Sequence, residues 1–215
     1  MEYQDIWNNN MINDYNKINN KLYVYDKWLD KYIEYINKSR LPIIDLGCGI
    51  GNDTLFLKSL GKEVISIDYS DEALRILNDN IEDVNILQMD FEKEWKLAKD
   101  SCDLIIADLS LHYFNERDTF RILSNIKNTL VDKGILIVRL NSIDDISFGA
   151  DSLEEIEHHF YYSYGIKKRF FDKEDIYYFF KDFEIISCME ESVNTIIYNK
   201  EKKVLECVFK KWFDI

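Results

Sequence analysis

Proline occurs once in the 215 residues, at Pro42, and glycine only seven times. A chain this poor in both carries no flexible or stiff linker of the kind that separates folding units, so a single domain over residues 1–215 is expected. The four cysteines, Cys48, Cys102, Cys188 and Cys207, stand far apart. With no C-x-x-C pair among them, the common zinc and redox motifs drop out and no metal is expected. No apolar run nears the ~20 residues of a membrane span. The opening Met1–Trp7 lacks a basic stretch followed by an apolar one, so no secretory signal is expected and the thiols read as reduced and cytoplasmic. Acidic residues outnumber basic ones by 40 to 27, a formal net charge of −13, which argues against a nucleic-acid partner. The one compact basic run, Lys167-Lys168-Arg169, is expected in a solvated helix end or loop.

What the chain does have is enough apolar material for one core, at 47% of residues, and one stretch of unusual order. Ile43-Ile44-Asp45-Leu46 feeds three glycines at alternate positions, Gly47, Gly49 and Gly51. The apolar segment Glu63–Tyr69 follows and carries Asp68 near its end. This is the outline of a strand, a glycine turn, a helix and a second strand whose acid can accept ribose hydroxyls. A dinucleotide fingerprint wants a third glycine where Asn52 stands, so that a pyrophosphate can meet the helix N-terminus. Asp53 beside it would repel that pyrophosphate and suits a ligand with a cationic amino-acid end, as does Asp45.

Periodicity supplies the rest. Helices are expected over 21–38, 53–60, 71–80 (with Ser70 as cap), 116–131 and 172–181 (with Asp172 as cap). Gly134 is expected in the turn beyond the fourth of these. Phe183–Cys188 and Lys203–Phe209 are strand-like, and Tyr198-Asn199-Lys200-Glu201 is turn-like. Five βα repeats and a two-strand finish imply an α/β fold with a mostly parallel sheet and one antiparallel strand. His158 and His159 are adjacent. On a helix of about 3.6 residues per turn they would diverge, which makes them poor joint metal ligands.

Over residues 40–140 the chain resembles the class I S-adenosylmethionine-dependent methyltransferases. Asp45-Leu46-Gly47-Cys48-Gly49-Ile50-Gly51 matches that family's D/E-x-G-x-G-x-G signature. Asp68, Asp90-Phe91 after Ile86–Met89, the run Asp103–Phe114 and the strand-like Lys133–Arg139 follow in the family's order. The resemblance implies a Rossmann-like three-layer sandwich with a seven-stranded sheet over residues 39–215, an N-terminal helical segment over 1–38 as a candidate lid, and S-adenosylmethionine as cofactor, S-adenosylhomocysteine being its product. Its cofactor site would comprise Asp45, Gly47, Cys48 and Gly49 at the methionine end, Asp68 and Tyr69 at the ribose and adenine, Asp90 and Phe91 at the adenine, and Ala107 and Leu109 near the sulfonium.

The acceptor side is less legible. Asp108–Phe114 contains neither an N/D-P-P-Y/F sequence nor a Pro-Cys pair, which argues against methylation of adenine or glutamine amino groups and of cytosine. A Leu-His-aromatic pattern is similar to the thiopurine- and tellurite-type enzymes of the small-molecule branch. His112 is the candidate base, since its free pKa lies near neutrality. Tyr113, Arg139 and Trp7 are candidate acceptor contacts, with Tyr3 and Tyr15 beside Trp7 in the lid segment. A small-molecule acceptor is expected. The alternatives are a protein or RNA methyltransferase, a non-catalytic cofactor-binding subunit and, against the evidence of Asn52 and Asp53, an NAD-dependent oxidoreductase.

Overall fold

The computed structural model describes residues 3–23, 26–149, 154–163, 165–195 and 200–212. Strand β1 (Ile43–Leu46) is buried along its whole length, as a strand covered on both faces must be. It pairs in parallel with β2 (Val64–Asp68) on one side and with β4 (Cys102–Asp108) on the other. β3 (Asn85–Gln88) extends the sheet beyond β2, and β5 (Leu130–Asn141) extends it beyond β4. β10 (Lys200–Lys211) then runs antiparallel to both β5 and β9 (Phe183–Thr195), which closes a seven-stranded order β3-β2-β1-β4-β5-β10-β9. The mostly parallel sheet with one reversed strand is therefore as expected. The order reverses between β1 and β4, so the carboxyl ends of β1, β2 and β4 open onto one crevice.

Local chemistry sets the helices. Ser70 accepts a bond from the Ala73 backbone and starts α4 (Asp71–Asn80). Asp172 and Asp175 form a reciprocal capping box that starts α6 (Lys173–Phe179). Asn115 caps α5 (Glu116–Thr129), which buries Ile122, Leu123 and Ile126 against the sheet. α3 (Asn52–Ser59) follows the glycine turn. Between α5 and β5 the register jumps from Cys102–Leu130 to Leu104–Ile135, with Lys133 at φ +64°, so the expected turn lies within β5's span.

Three expectations need correction. Residues 21–38 do not form one helix: a 3₁₀ segment over Trp28–Tyr32 leads into the short α2 (Ile33–Lys38), and the N-terminal helix is α1 (Tyr3–Lys17). A second, three-stranded antiparallel sheet is inserted after β5, made of β6 (Glu154–Glu157), β7 (Phe160–Ser163) and β8 (Ile166–Arg169). Lys167-Lys168-Arg169 belongs to β8 rather than to a solvated loop, and Arg169 is fully buried between the Phe160 and Phe179 rings. Of the expected C-terminal turn, Tyr198 and Asn199 lie outside the described residues, whereas Lys200 and Glu201 are in β10. Among the described residues no helix is long and apolar enough to cross a membrane.

Candidate functional site

The turn after β1 is held from below. The backbone N–H groups of Gly47 and Cys48 both donate to the Ile67 carbonyl, at 2.7 and 2.9 Å. Gly47 takes φ +80°, and a Cβ there would lie 2.2 Å from the Ser110 Cβ, so only glycine lets the β1 and β4 ends come this close. Gly49 donates its N–H to Asp68 Oδ2 at 2.9 Å. Asp68 Oδ1 accepts from Ser70 N at 2.8 Å, so one carboxylate fixes both the glycine turn and the start of α4.

These elements surround a cavity of about 540 Å³. Asp45, Gly47, Cys48 and Gly49 line it from the β1 turn, Asp68 and Tyr69 from β2, Asp90 and Phe91 from the segment after β3, and Leu109 from the end of β4. Helix α1 adds Trp7, Met11 and Asp14 across the mouth, with the Trp7 ring edge-on to Tyr113 at 4.7 Å. α1 is moored to α4 by Asn8 bonds to Asp71 and Ser70 and by Tyr15 to Asn80. The inserted sheet contributes Gly165 and Lys167.

The floor is strongly acidic. Asp45 is 1% exposed, and its Oδ2 accepts from the Thr54 hydroxyl at 2.6 Å. Burial, with the charges of Asp108 and Asp68 adding to it, pushes its carboxyl up to about 7. Asp53 accepts from the Trp28 indole at 3.0 and 3.2 Å, and burial followed by the charges of Asp108 and Asp45 holds it well above the usual carboxylate range. Burial also raises Asp68, against the bonds it accepts from Ser70 and Gly49. Arg139 answers part of this charge from behind. It pairs with both oxygens of Asp108 at 2.6 Å, with Asp26 at 2.6 Å, and stacks over Trp28 at 4.6 Å. Each buried acid would ionise more readily beside a cation, so the floor selects a cationic ligand and disfavours a pyrophosphate.

Three of the expected site residues sit elsewhere. Ala107 is wholly buried inside β4, one step short of the cavity wall. Arg139 is 4% exposed and engaged by Asp108 and Asp26, so its guanidinium faces the protein's own acids rather than the cavity. His112 is 2% exposed and stands behind the wall made by its neighbours Ser110 and Tyr113, with its Nδ1 making no hydrogen bond among the described residues. Burial, then the nearby charges of Lys202 and Lys168, depress its basicity well below the ordinary value. Conversely, the lining includes Met11 and Asp14, which no motif singled out, Asp108, Ser110 and Phe114 of the acceptor-side segment, and Lys167 of the basic run, none of them among the expected site residues. Asp108 was legible as the acid that ends the β4 run. Met11 carries no such signal, and Lys167 stood only in a basic run expected in solvent, because both reach the site from distant elements. His158 and His159 lie in the β6–β7 turn rather than on a helix, with rings stacked at 3.8 Å and His159 Nδ1 2.7 Å from Asp175. The Asp175 carboxylate is already committed to the capping box.

A switch-point crevice at the carboxyl ends of a β3-β2-β1-β4-β5-β10-β9 sheet, floored by acids, defines the class I S-adenosylmethionine-dependent methyltransferase fold. Known proteins of that kind are similar to parts of this chain. Residues 43–134 match the family model described as "Methyltransferase domain". That stretch runs from β1 into the start of β5, and methyltransferases that use S-adenosylmethionine are what it is similar to. Over 111 residues it is 30% identical to the probable S-adenosyl-L-methionine-dependent methyltransferase TehB of Haemophilus influenzae, covering 50% of this chain and 39% of that protein. The chain thus spans about two fifths of the length of these curated relatives. Its fold is similar to that of a methyltransferase from Methanosarcina mazei (TM-score 0.71, 16% identity, covering 90% of this chain and 100% of the other). It also resembles the Burkholderia thailandensis 1,6-didemethyltoxoflavin-N1-methyltransferase, solved with 1,6-didemethyltoxoflavin and S-adenosylhomocysteine bound (TM-score 0.62, 14% identity, covering 86% and 75%). The residues present fit the cofactor: the glycine turn leaves room for close backbone approach, and the buried acids suit a sulfonium and an ammonium.

Proposed function

We propose that this chain transfers the methyl group of S-adenosylmethionine to a small-molecule acceptor. The acid-floored cavity behind a glycine turn carries the proposal, because its charge complements the cofactor and opposes a dinucleotide. Asp45 and the backbone at Gly47, Cys48 and Gly49 would hold the amino-acid end. Asp68 would hold the ribose, with Tyr69, Asp90 and Phe91 around the adenine and Leu109 toward the sulfonium. The cofactor supplies an electrophilic methyl group on a good leaving group, so the protein's task is to align an acceptor in line and keep water out.

The acceptor would enter beneath α1, where Trp7, Tyr113 and Phe114 present aromatic faces. These are surfaces for a flat or apolar molecule rather than for a polymer backbone. The mouth carries Lys93 and Lys167, but with Asp14, Asp90 and Glu92 among them it is not the basic groove that RNA needs. His112 would shape the wall without acting as base, so acceptors that are already strong nucleophiles, thiolates above all, fit best. Residues 3–212 would work as one unit with α1 as its cover.

The test is calorimetry with S-adenosylmethionine, S-adenosylhomocysteine and NAD, followed by an assay for S-adenosylhomocysteine release with small thiols, phenols and amines. Binding of the first two ligands and turnover on at least one small acceptor are expected. Binding of NAD in preference to either would overturn the cofactor assignment. Cofactor binding with turnover on protein or RNA alone would overturn the acceptor class.

A further inference from the structure

Cys188 and Cys207 are 19 residues apart in sequence yet face each other directly across the β9–β10 ladder. Residues opposite one another in an antiparallel pair have Cα atoms about 4.5–5.5 Å apart, inside the ~4.4–6.8 Å window of a disulfide. Their sulfurs are 2.9 Å apart, with the Cys207 thiol donating to the Cys188 sulfur. We propose that this pair is an oxidation site, at which a hydroperoxide converts the two thiols into a reversible disulfide joining β9 to β10.

Access and chemistry both favour Cys188 as the first to react. β9 is the edge strand of the sheet and Cys188 is half-buried, whereas Cys207 is fully buried. The hydrogen bond from Cys207 holds the Cys188 thiol below its ordinary value, and the Lys173 charge adds to this after burial has opposed it. Cys207 is raised by its bond to Cys188 and by burial, so it keeps its proton as the donor. The other two cysteines lack these features. Burial pushes Cys48 well above the ordinary thiol range, and Cys102, 1% exposed, is likewise raised.

The steps balance. The Cys188 thiolate attacks one peroxide oxygen, the O–O bond breaks, and a sulfenic acid forms while the departing alkoxide or hydroxide takes up a proton. The Cys207 sulfur then displaces the sulfenic oxygen, which leaves as water with the Cys207 proton. Two thiols and one hydroperoxide give one disulfide, one alcohol or water, and one further water; two electrons pass from sulfur to the peroxide. The proposal is independent of the acceptor and the cofactor.

The full chain is treated with hydrogen peroxide, denatured, and its thiols counted by alkylation, with a non-reducing digest mapped by mass spectrometry. Four thiols should fall to two, a Cys188–Cys207 linked peptide should appear, and dithiothreitol should restore both. Cys188→Ser should keep its three thiols through the same treatment. Cys207→Ser should stop at a sulfenic acid on Cys188 that dimedone traps. Four thiols persisting in the native chain, or a bridge that uses Cys48 or Cys102 or joins two chains, would overturn the proposal.

Discussion

Gly47 and Gly49 are two residues apart in the same turn, and an added methyl group should do different things at each. At Gly47 an alanine would have to adopt φ +80°, with its Cβ 2.2 Å from Ser110 Cβ and 2.9 Å from Ser110 Oγ. Ser110 has nowhere to retreat. It is 8% exposed, and its hydroxyl donates to the Leu46 carbonyl at 2.5 Å. The backbone term is about 1–2 kcal/mol and the overpacking term about 1–3, so Gly47→Ala should cost about 2–5 kcal/mol of folding stability. That is a large share of the ~5–15 kcal/mol a domain of this kind holds. At Gly49 the backbone strain is of the same kind, at φ +53°, but among the described residues beyond its chain neighbours the only heavy atom within 4 Å of the added Cβ is Met11 Sδ at 3.8 Å, an ordinary contact. Gly49→Ala should therefore cost only about 1–2 kcal/mol of stability. Its methyl group would instead stand in the cavity between the turn and α1, where it should weaken S-adenosylmethionine about tenfold or more, a loss of ~1.4 kcal/mol. Urea unfolding measures the first effect and calorimetry on the folded variant measures the second. A Gly47→Ala protein within about 0.5 kcal/mol of the parent would refute the packing argument. Equal destabilisation by both substitutions would refute the distinction between them.

Other expectations follow from the buried charges and from α1. Asp45 titrates near 7 in the folded chain against 3.8 for its free side chain, so its contribution to stability is complete below the lower value and is lost as pH rises toward the higher. A cation at the floor favours the ionised form, so S-adenosylmethionine should bind more tightly as pH rises through about 7 and should release a proton near pH 6.5. Calorimetry in buffers of different ionisation enthalpy measures that release, and proton uptake would sink the idea. Arg139→Met would strand Asp108 and Asp26 beside Asp53, and should cost about 3–5 kcal/mol at neutral pH, with part of the loss recovered in acid. Urea titrations at two pH values test it, and a pH-independent cost would contradict it. Trp7→Ala should leave urea stability and cofactor affinity nearly unchanged while lowering turnover of an identified acceptor at least tenfold. Unaltered turnover would remove α1 from the acceptor site.

Much of the proposed cofactor side of the cavity was legible because its signals are local. The β1 apolar run, the glycines, the acid at the end of β2 and the capping Ser70 all act on neighbours in sequence, and a parallel sheet then brings their carboxyl ends together. The outer half was not legible. α1 is polar on most of its surface and is held by side-chain bonds to α4, so no apolar stripe announces it. β6 exposes every residue, which hides the period of a strand. Arg139 looked like a ligand contact because it ends a strand at the crevice. Its partners Asp26 and Asp108 come from 113 and 31 residues away, a pairing visible only in three dimensions. His112 was misjudged in its surroundings, since neighbouring residues reach the cavity while its own ring turns into the protein.

The inserted sheet has a consequence for how this chain can change. β6–β8 begins after residue 149, beyond the stretch 43–134 that matches the family. Its ties to the core include backbone bonds from Arg169 to the His112 carbonyl at 2.7 Å and from Phe171 to that of Asn141 at 2.8 Å, side-chain bonds between Glu157 and the Glu116 N–H and between His159 and Asp175, and the Arg169 side chain clasped between two phenylalanine rings. The glycine turn and the acids of the floor make none of these attachments. The insert's share of the cavity lining, Gly165 and Lys167, is thus encoded separately from the glycine turn and the acids, and the two can mutate on different schedules. A substitution at Gly165 or Lys167 would change the shape of the cavity on that side while leaving the glycine turn and the buried acids untouched. The insert could therefore be exchanged as a unit without disturbing the floor, with Arg169 kept as the graft's anchor.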